Sequence, residues 1–99
     1  MRFQIPESKL RYNLQETLRK CGYFQIQDYR SGQESFVKRL SNSQHYPRFH
    51  LYIDKKDNQY QFNLHLDQKQ ASYEGQKAHS GEYDDPVVKE EARRIKSLI

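Results

Sequence analysis

Hydrophobic and polar positions alternate most cleanly in two runs near the middle of the chain. Phe49-His50-Leu51-Tyr52-Ile53-Asp54 and Phe62-Asn63-Leu64-His65-Leu66-Asp67 each put an apolar residue at every second position, the period of a strand with one buried face. Between them lies Lys55-Lys56-Asp57-Asn58-Gln59, in which Asp57-Asn58 can take the positive φ values of a type I′ turn. Closing the hairpin there sets Phe49 against Leu66, Leu51 against Leu64 and Ile53 against Phe62. Slipping by one residue would turn every aliphatic side chain to the wrong face, so the register is strongly constrained. Pro47, which has no N–H to give a ladder, marks where the first of these strands begins.

The remaining elements follow from other spacings. Leu10, Leu14, Leu18 and Cys21 form a helical stripe, which predicts a helix over 8–21 capped by Ser8 and stopped at Gly22. Tyr23 to Asp28 and Glu34 to Leu40 read as strands around the turn Arg30-Ser31-Gly32-Gln33. Two registers are open for that pair: a three-residue loop sets Ile26 against Phe36, and a two-residue Ser-Gly turn sets it against Val37. Residues 68–85 are a long polar stretch, interrupted at most by a short strand near 71–73; such a loop inside a compact domain tends to be functional or mobile. A closing helix has Asp85 as cap, Pro86 as its first residue, and Val88, Ala92, Ile95 and Ile99 as its buried stripe. The expected fold is α+β in the order α-β-β-β-β-α, one domain over residues 1–99. Its four-stranded antiparallel sheet carries the two terminal helices on one face and leaves the other partly open.

Composition limits the function classes. The chain has 99 residues, only 34% of them hydrophobic, which alone would suggest disorder; eight Tyr and five Phe spread along it argue for a thin aromatic core instead. One cysteine, Cys21, excludes an intrachain disulfide, and no apolar run approaches the roughly 20 residues that span a membrane, so a cytoplasmic location is expected. A catalytic thiolate is disfavoured, because Cys21 falls at a helix C-terminus. No GxSxG elbow, P-loop or dinucleotide fingerprint occurs.

Charge is unevenly placed. Residues 1–56 carry eleven Lys and Arg against five Asp and Glu, while residues 57–99 carry six against eight. A basic first half favours anionic partners, nucleic acid foremost. Tyr23, Tyr29 and Tyr52, interleaved with Arg30, Arg39, Arg48, Lys55 and Lys56, suit a surface on which bases stack and cations meet phosphates. The leading expectation is a small basic module that binds nucleic acid, RNA first, through the first helix and the open sheet face, with no cofactor.

The hairpin register leads to a second expectation. It sets His50 across from His65, Tyr52 across from Asn63 and Arg48 across from Asp67, all on the face away from the aliphatics. Directly opposed residues sit about 4.5–5.5 Å apart at Cβ, close enough for two imidazoles to share one ion. His50, His65 and Asp67, joined by His79 and Glu82 from His79-Ser80-Gly81-Glu82-Tyr83-Asp84, make a sensible donor set for one transition-metal ion, structural or enzymatic. The plain alternative is an ordinary polar cross-strand pair beside an ordinary Arg–Asp ion pair. His45 reads as a surface residue. A third expectation, a protein-interaction module, has no positive mark in the sequence.

Two resemblances accompany these readings. Leu18-Arg19-Lys20-Cys21-Gly22-Tyr23, followed by strand, turn and strand, resembles the opening of small double-stranded-RNA-binding-like domains, HicA-type toxins among them, over about the first third of the chain. The Gly-Ser-His signature of those toxins should fall near Gly32-Gln33-Glu34-Ser35, where no histidine stands, so the resemblance implies no catalytic residue. Tyr46-Pro47-Arg48-Phe49-His50, Asn63-Leu64-His65-Leu66-Asp67-Gln68-Lys69 and His79-Ser80-Gly81-Glu82-Tyr83-Asp84 resemble segments of a family of small uncharacterised bacterial proteins, which implies no particular activity.

Overall fold

The computed structural model describes residues 1–27, 34–68 and 85–99. It contains β1 (Arg2–Pro6), a 3-10 turn (Glu7–Lys9), α1 (Leu14–Lys20), β2 (Phe24–Ile26), β3 (Glu34–Arg39), β4 (Arg48–Lys56), β5 (Gln59–Asp67) and α2 (Pro86–Leu98). The strands form one antiparallel sheet in the order β1-β5-β4-β3-β2. The expected α+β class and antiparallel sheet are present, but the sheet has five strands and the chain opens on a strand rather than a helix.

The additional strand is β1. Only Phe3 and Ile5 carry its pattern, too short a run to stand out in sequence, yet both are buried against the core. β1 pairs along the outer edge of β5, and the ladder is extended by Leu64 N–H donating to the Met1 carbonyl at 2.8 Å. The Phe3 ring packs on Phe62 with centroids 5.1 Å apart.

The first helix is shorter than expected and has a different cap. Asn13, not Ser8, accepts from the Glu16 backbone N–H at 2.8 Å, and Leu10 is extended at φ −79°, ψ 127°. Asn13-Leu-Gln-Glu16 has the spacing of a capping box, a stronger start signal than Ser8. The C-terminal end is as expected. Gly22 has φ +96°, with its N–H donating to the Arg19 carbonyl and that of Tyr23 to the Leu18 carbonyl, both at 2.9 Å. These are the two bonds of a Schellman ending.

The β4–β5 register agrees residue for residue, from Arg48↔Asp67 to Lys56↔Gln59. Its turn differs in detail: Asp57 has φ 58° and is the only described non-glycine residue with positive φ, so the turn uses one left-handed residue where type I′ needs two. In the first hairpin neither expected register occurs; Phe24 pairs with Val37 and Ile26 with Ser35. The anchor is Tyr23, which is buried in the core. Alternation from Tyr23 then sends Phe24 and Ile26 to the opposite face. The turn between these strands, and the suggested strand near 71–73, lie outside the described residues.

Both helices face the same side of the sheet. Leu14 and Leu18 from α1, Cys21 at its C-cap, and Val88, Ala92 and Ile95 from α2 form one cluster with Phe36, Leu51, Phe62 and Leu64. Fully burying a side chain of this size contributes about 1.5–3 kcal/mol, so this layer is the main source of stability. A buried polar link crosses it: Tyr23 Oη donates to Glu91 Oε2 at 2.6 Å, and Arg94 donates to both Glu91 oxygens and to the Cys21 carbonyl at 2.7–2.8 Å. No helix among the described residues is long and apolar enough to cross a membrane.

Candidate functional site

The second face of the sheet carries the candidate chemistry. Strand alternation assigns to it Arg48, His50 and Tyr52 of β4, Asn63, His65 and Asp67 of β5, Ser35, Val37 and Arg39 of β3, and Phe24 and Ile26 of β2. The expectation that this face is partly open fails at its centre. Ser35, Val37 and His50 are 0%, 6% and 6% exposed, although Val37 is not part of the helix-side core.

His50, Asp67 and Arg48 form a polar cluster. His50 Nδ1 lies 3.0 Å from Asp67 Oδ2, and Arg48 Nε donates to the same oxygen at 3.3 Å. Burial pushes the Asp67 carboxyl up, but the hydrogen bonds and charges of His50 and Arg48 outweigh it and hold the group below its ordinary value. The Arg48 guanidinium also lies over the Tyr46 ring, 4.7 Å from its centroid. Tyr52 stacks on His50 at 4.2 Å and meets His65 edge-on at 5.7 Å. His50 Nε2 and Ser35 Oγ are buried and have no hydrogen-bond partner among the described residues.

Of the proposed metal donors, the sheet brings His50 and His65 directly opposite one another, as expected. Asp67 instead faces the Nδ1 side of His50. Among the described residues no three His, Cys, Asp or Glu side chains are grouped so as to hold an ion. His79, Glu82 and Asp84 lie outside the described residues, and His45 is exposed.

The proposed nucleic-acid contacts divide into separate groups. Arg39 and Arg48 are directly opposed at one end of β3–β4. Lys55 and Lys56 stand at the far end of nine-residue β4, roughly 25 Å away at 3.3 Å per residue. Of these, Lys56 is on the second face, whereas Lys55 points to the helix side and pairs with Glu7 at 3.0 Å. Tyr52 is half-buried among the histidines, Tyr23 is in the core, and Tyr29 and Arg30 lie outside the described residues. On α1, Arg19 is paired with Glu16, and Lys20 rests 4.7 Å from the Tyr12 ring centroid.

One residue that sequence reasoning missed is Phe24. It is 66% exposed on edge strand β2, on the same face as Arg39. Once Tyr23 is taken as inward-facing, strict alternation would have found it. Set against protein-family models, curated proteins and solved structures, the chain matches none of them.

Proposed function

We propose that the protein binds single-stranded nucleic acid, RNA foremost, at the Arg39–Arg48 end of the second face. The observation that carries this reading is the direct opposition of the two arginines. Like charges facing one another across a ladder cost stability, and the Asp67 carboxylate bonds Arg48. A phosphate offsets that repulsion and suits the planar donor fork of a guanidinium. Phe24 presents an exposed ring about 7 Å along the same face, two strand residues from the level of Arg39, where an unpaired base can stack. An open ring face favours a single strand, because duplex bases are already stacked. The basic first half of the chain, the likeness of its first third to double-stranded-RNA-binding-like domains and a cytoplasmic location belong to this same proposal.

The test is fluorescence anisotropy of a labelled single-stranded RNA and its DNA counterpart at several salt concentrations. Binding that weakens steeply with salt, and is reduced by Arg39→Ala and by Phe24→Ala, is the expected result. Absence of binding at micromolar protein and low salt, or affinity indifferent to salt, overturns the reading.

A further inference from the structure

We propose that His50 and His65 hold a divalent transition-metal ion between β4 and β5, with Asp67 and Arg48 serving behind His50 as positioning residues. The first observation is the Nε2 of His50, which has no partner among the described residues, on a side chain only 8% exposed. Leaving a buried ring nitrogen without a partner is costly, and native proteins rarely do so without a guest.

The second observation concerns the other nitrogen of the ring. The Asp67 carboxylate can only accept, so the His50 Nδ1 it touches carries the proton. A neutral imidazole with its proton on Nδ1 has a bare lone pair on Nε2. Metal-binding histidines characteristically have this arrangement, one nitrogen toward the ion and the other N–H donated to a carboxylate. Arg48 in turn donates to that same Asp67 oxygen.

The third observation is the register. His65 is directly opposite His50 on the same face, so the two rings can reach a common point. Imidazole nitrogens with water select zinc and its neighbours over calcium or magnesium. Asp67 therefore acts behind the ligand rather than as one, which is consistent with the absence of a three-residue donor group among the described residues. This inference is independent of nucleic-acid binding.

The test titrates Co2+ alone, and Zn2+ alone, into chelator-treated protein, reading the cobalt absorption bands and metal content. One equivalent per chain is expected, with binding lost in His50→Ala and His65→Ala. Asp67→Asn should weaken affinity about 10- to 100-fold. The exposed His45→Ala should bind as the parent does. Because a variant at a buried position can fail to fold, nitrogen NMR of the imidazoles in the unmodified protein supplies a second reading: Zn2+ should shift His50 Nε2 and leave Nδ1 protonated. No uptake by the parent, no shift at His50, or full uptake by folded His50→Ala or His65→Ala overturns the site. Unchanged affinity in Asp67→Asn overturns the positioning role.

Discussion

The Tyr23 hydroxyl donates to the Glu91 carboxylate at 2.6 Å, joining residues 68 positions apart in the chain. Arg94 completes the link by bonding both Glu91 oxygens and the Cys21 carbonyl at the end of α1. α2 is thereby tied to the α1–β2 junction at one buried point. A hydrogen bond to a charged group contributes about 1.5–3 kcal/mol, so Tyr23→Phe should lower unfolding free energy by that amount in urea titration. Glu91→Gln should cost at least as much, because it also removes the buried partner of Arg94.

The same contact has a pH signature. Burial, then the Glu91 hydrogen bond and charge, push the Tyr23 hydroxyl far above its ordinary value near 10. A folded value raised above the unfolded one means that the stabilisation is complete below about pH 10 and declines as pH rises beyond it. Of the eight tyrosines, Tyr23 should therefore ionise only as the protein unfolds. Absorbance at alkaline pH should show this delayed component, and Tyr23→Phe should remove it.

Gly22 should tolerate no L side chain without loss. Its φ of +96° is a region such residues rarely adopt, and an added Cβ would also meet Lys38 Cε at 3.0 Å. The lysine tail can move aside, so backbone strain decides the outcome. Gly22→Ala should destabilise by about 1–2 kcal/mol, read from the urea midpoint.

β1 should be integral to the sheet. Phe3→Ala removes a buried ring packed on Phe62 and should cost about 3–5 kcal/mol in thermal or urea unfolding. Deleting residues 1–6 should also raise amide exchange at Leu64, whose N–H donates to Met1.

Phe24 offers a contrast with the core aromatics. Being mostly exposed, it should be replaceable by alanine within about 0.5 kcal/mol of parental stability. RNA affinity should nevertheless fall by about 1–3 kcal/mol, the usual worth of a base–aromatic stack. A stable variant with unchanged affinity would remove Phe24 from the interface.

Local signals alone specified the β4–β5 hairpin and its His50–His65 pairing. A period of two excludes every one-residue slip that would take Phe49, Leu51, Ile53, Phe62, Leu64 and Leu66 off their shared face, and the turn residues between the strands choose this register from those that remain. The Schellman ending at Gly22 and the cap at Asp85 were equally legible, because each is settled within a few residues by backbone hydrogen bonding. The site was visible only as far as that register carried it: which polar residues share a face follows from alternation, but which atoms meet does not.

The rest depended on contacts far apart in sequence. β1 has too few apolar positions to be read alone and becomes a strand only because β5 offers an unpaired edge and Phe62 a partner for Phe3. The facing of β2 follows from Tyr23 reaching Glu91, so it could not be known before α2 was in place. Asp67 looked like a metal donor by spacing, but side-chain packing turned it toward Nδ1 of His50 and left Nε2 without a partner among the described residues. Chain periodicity determines faces and registers because those are properties of neighbouring residues; burial and side-chain partners were decided in the tertiary structure because each requires elements that meet only after the chain has folded.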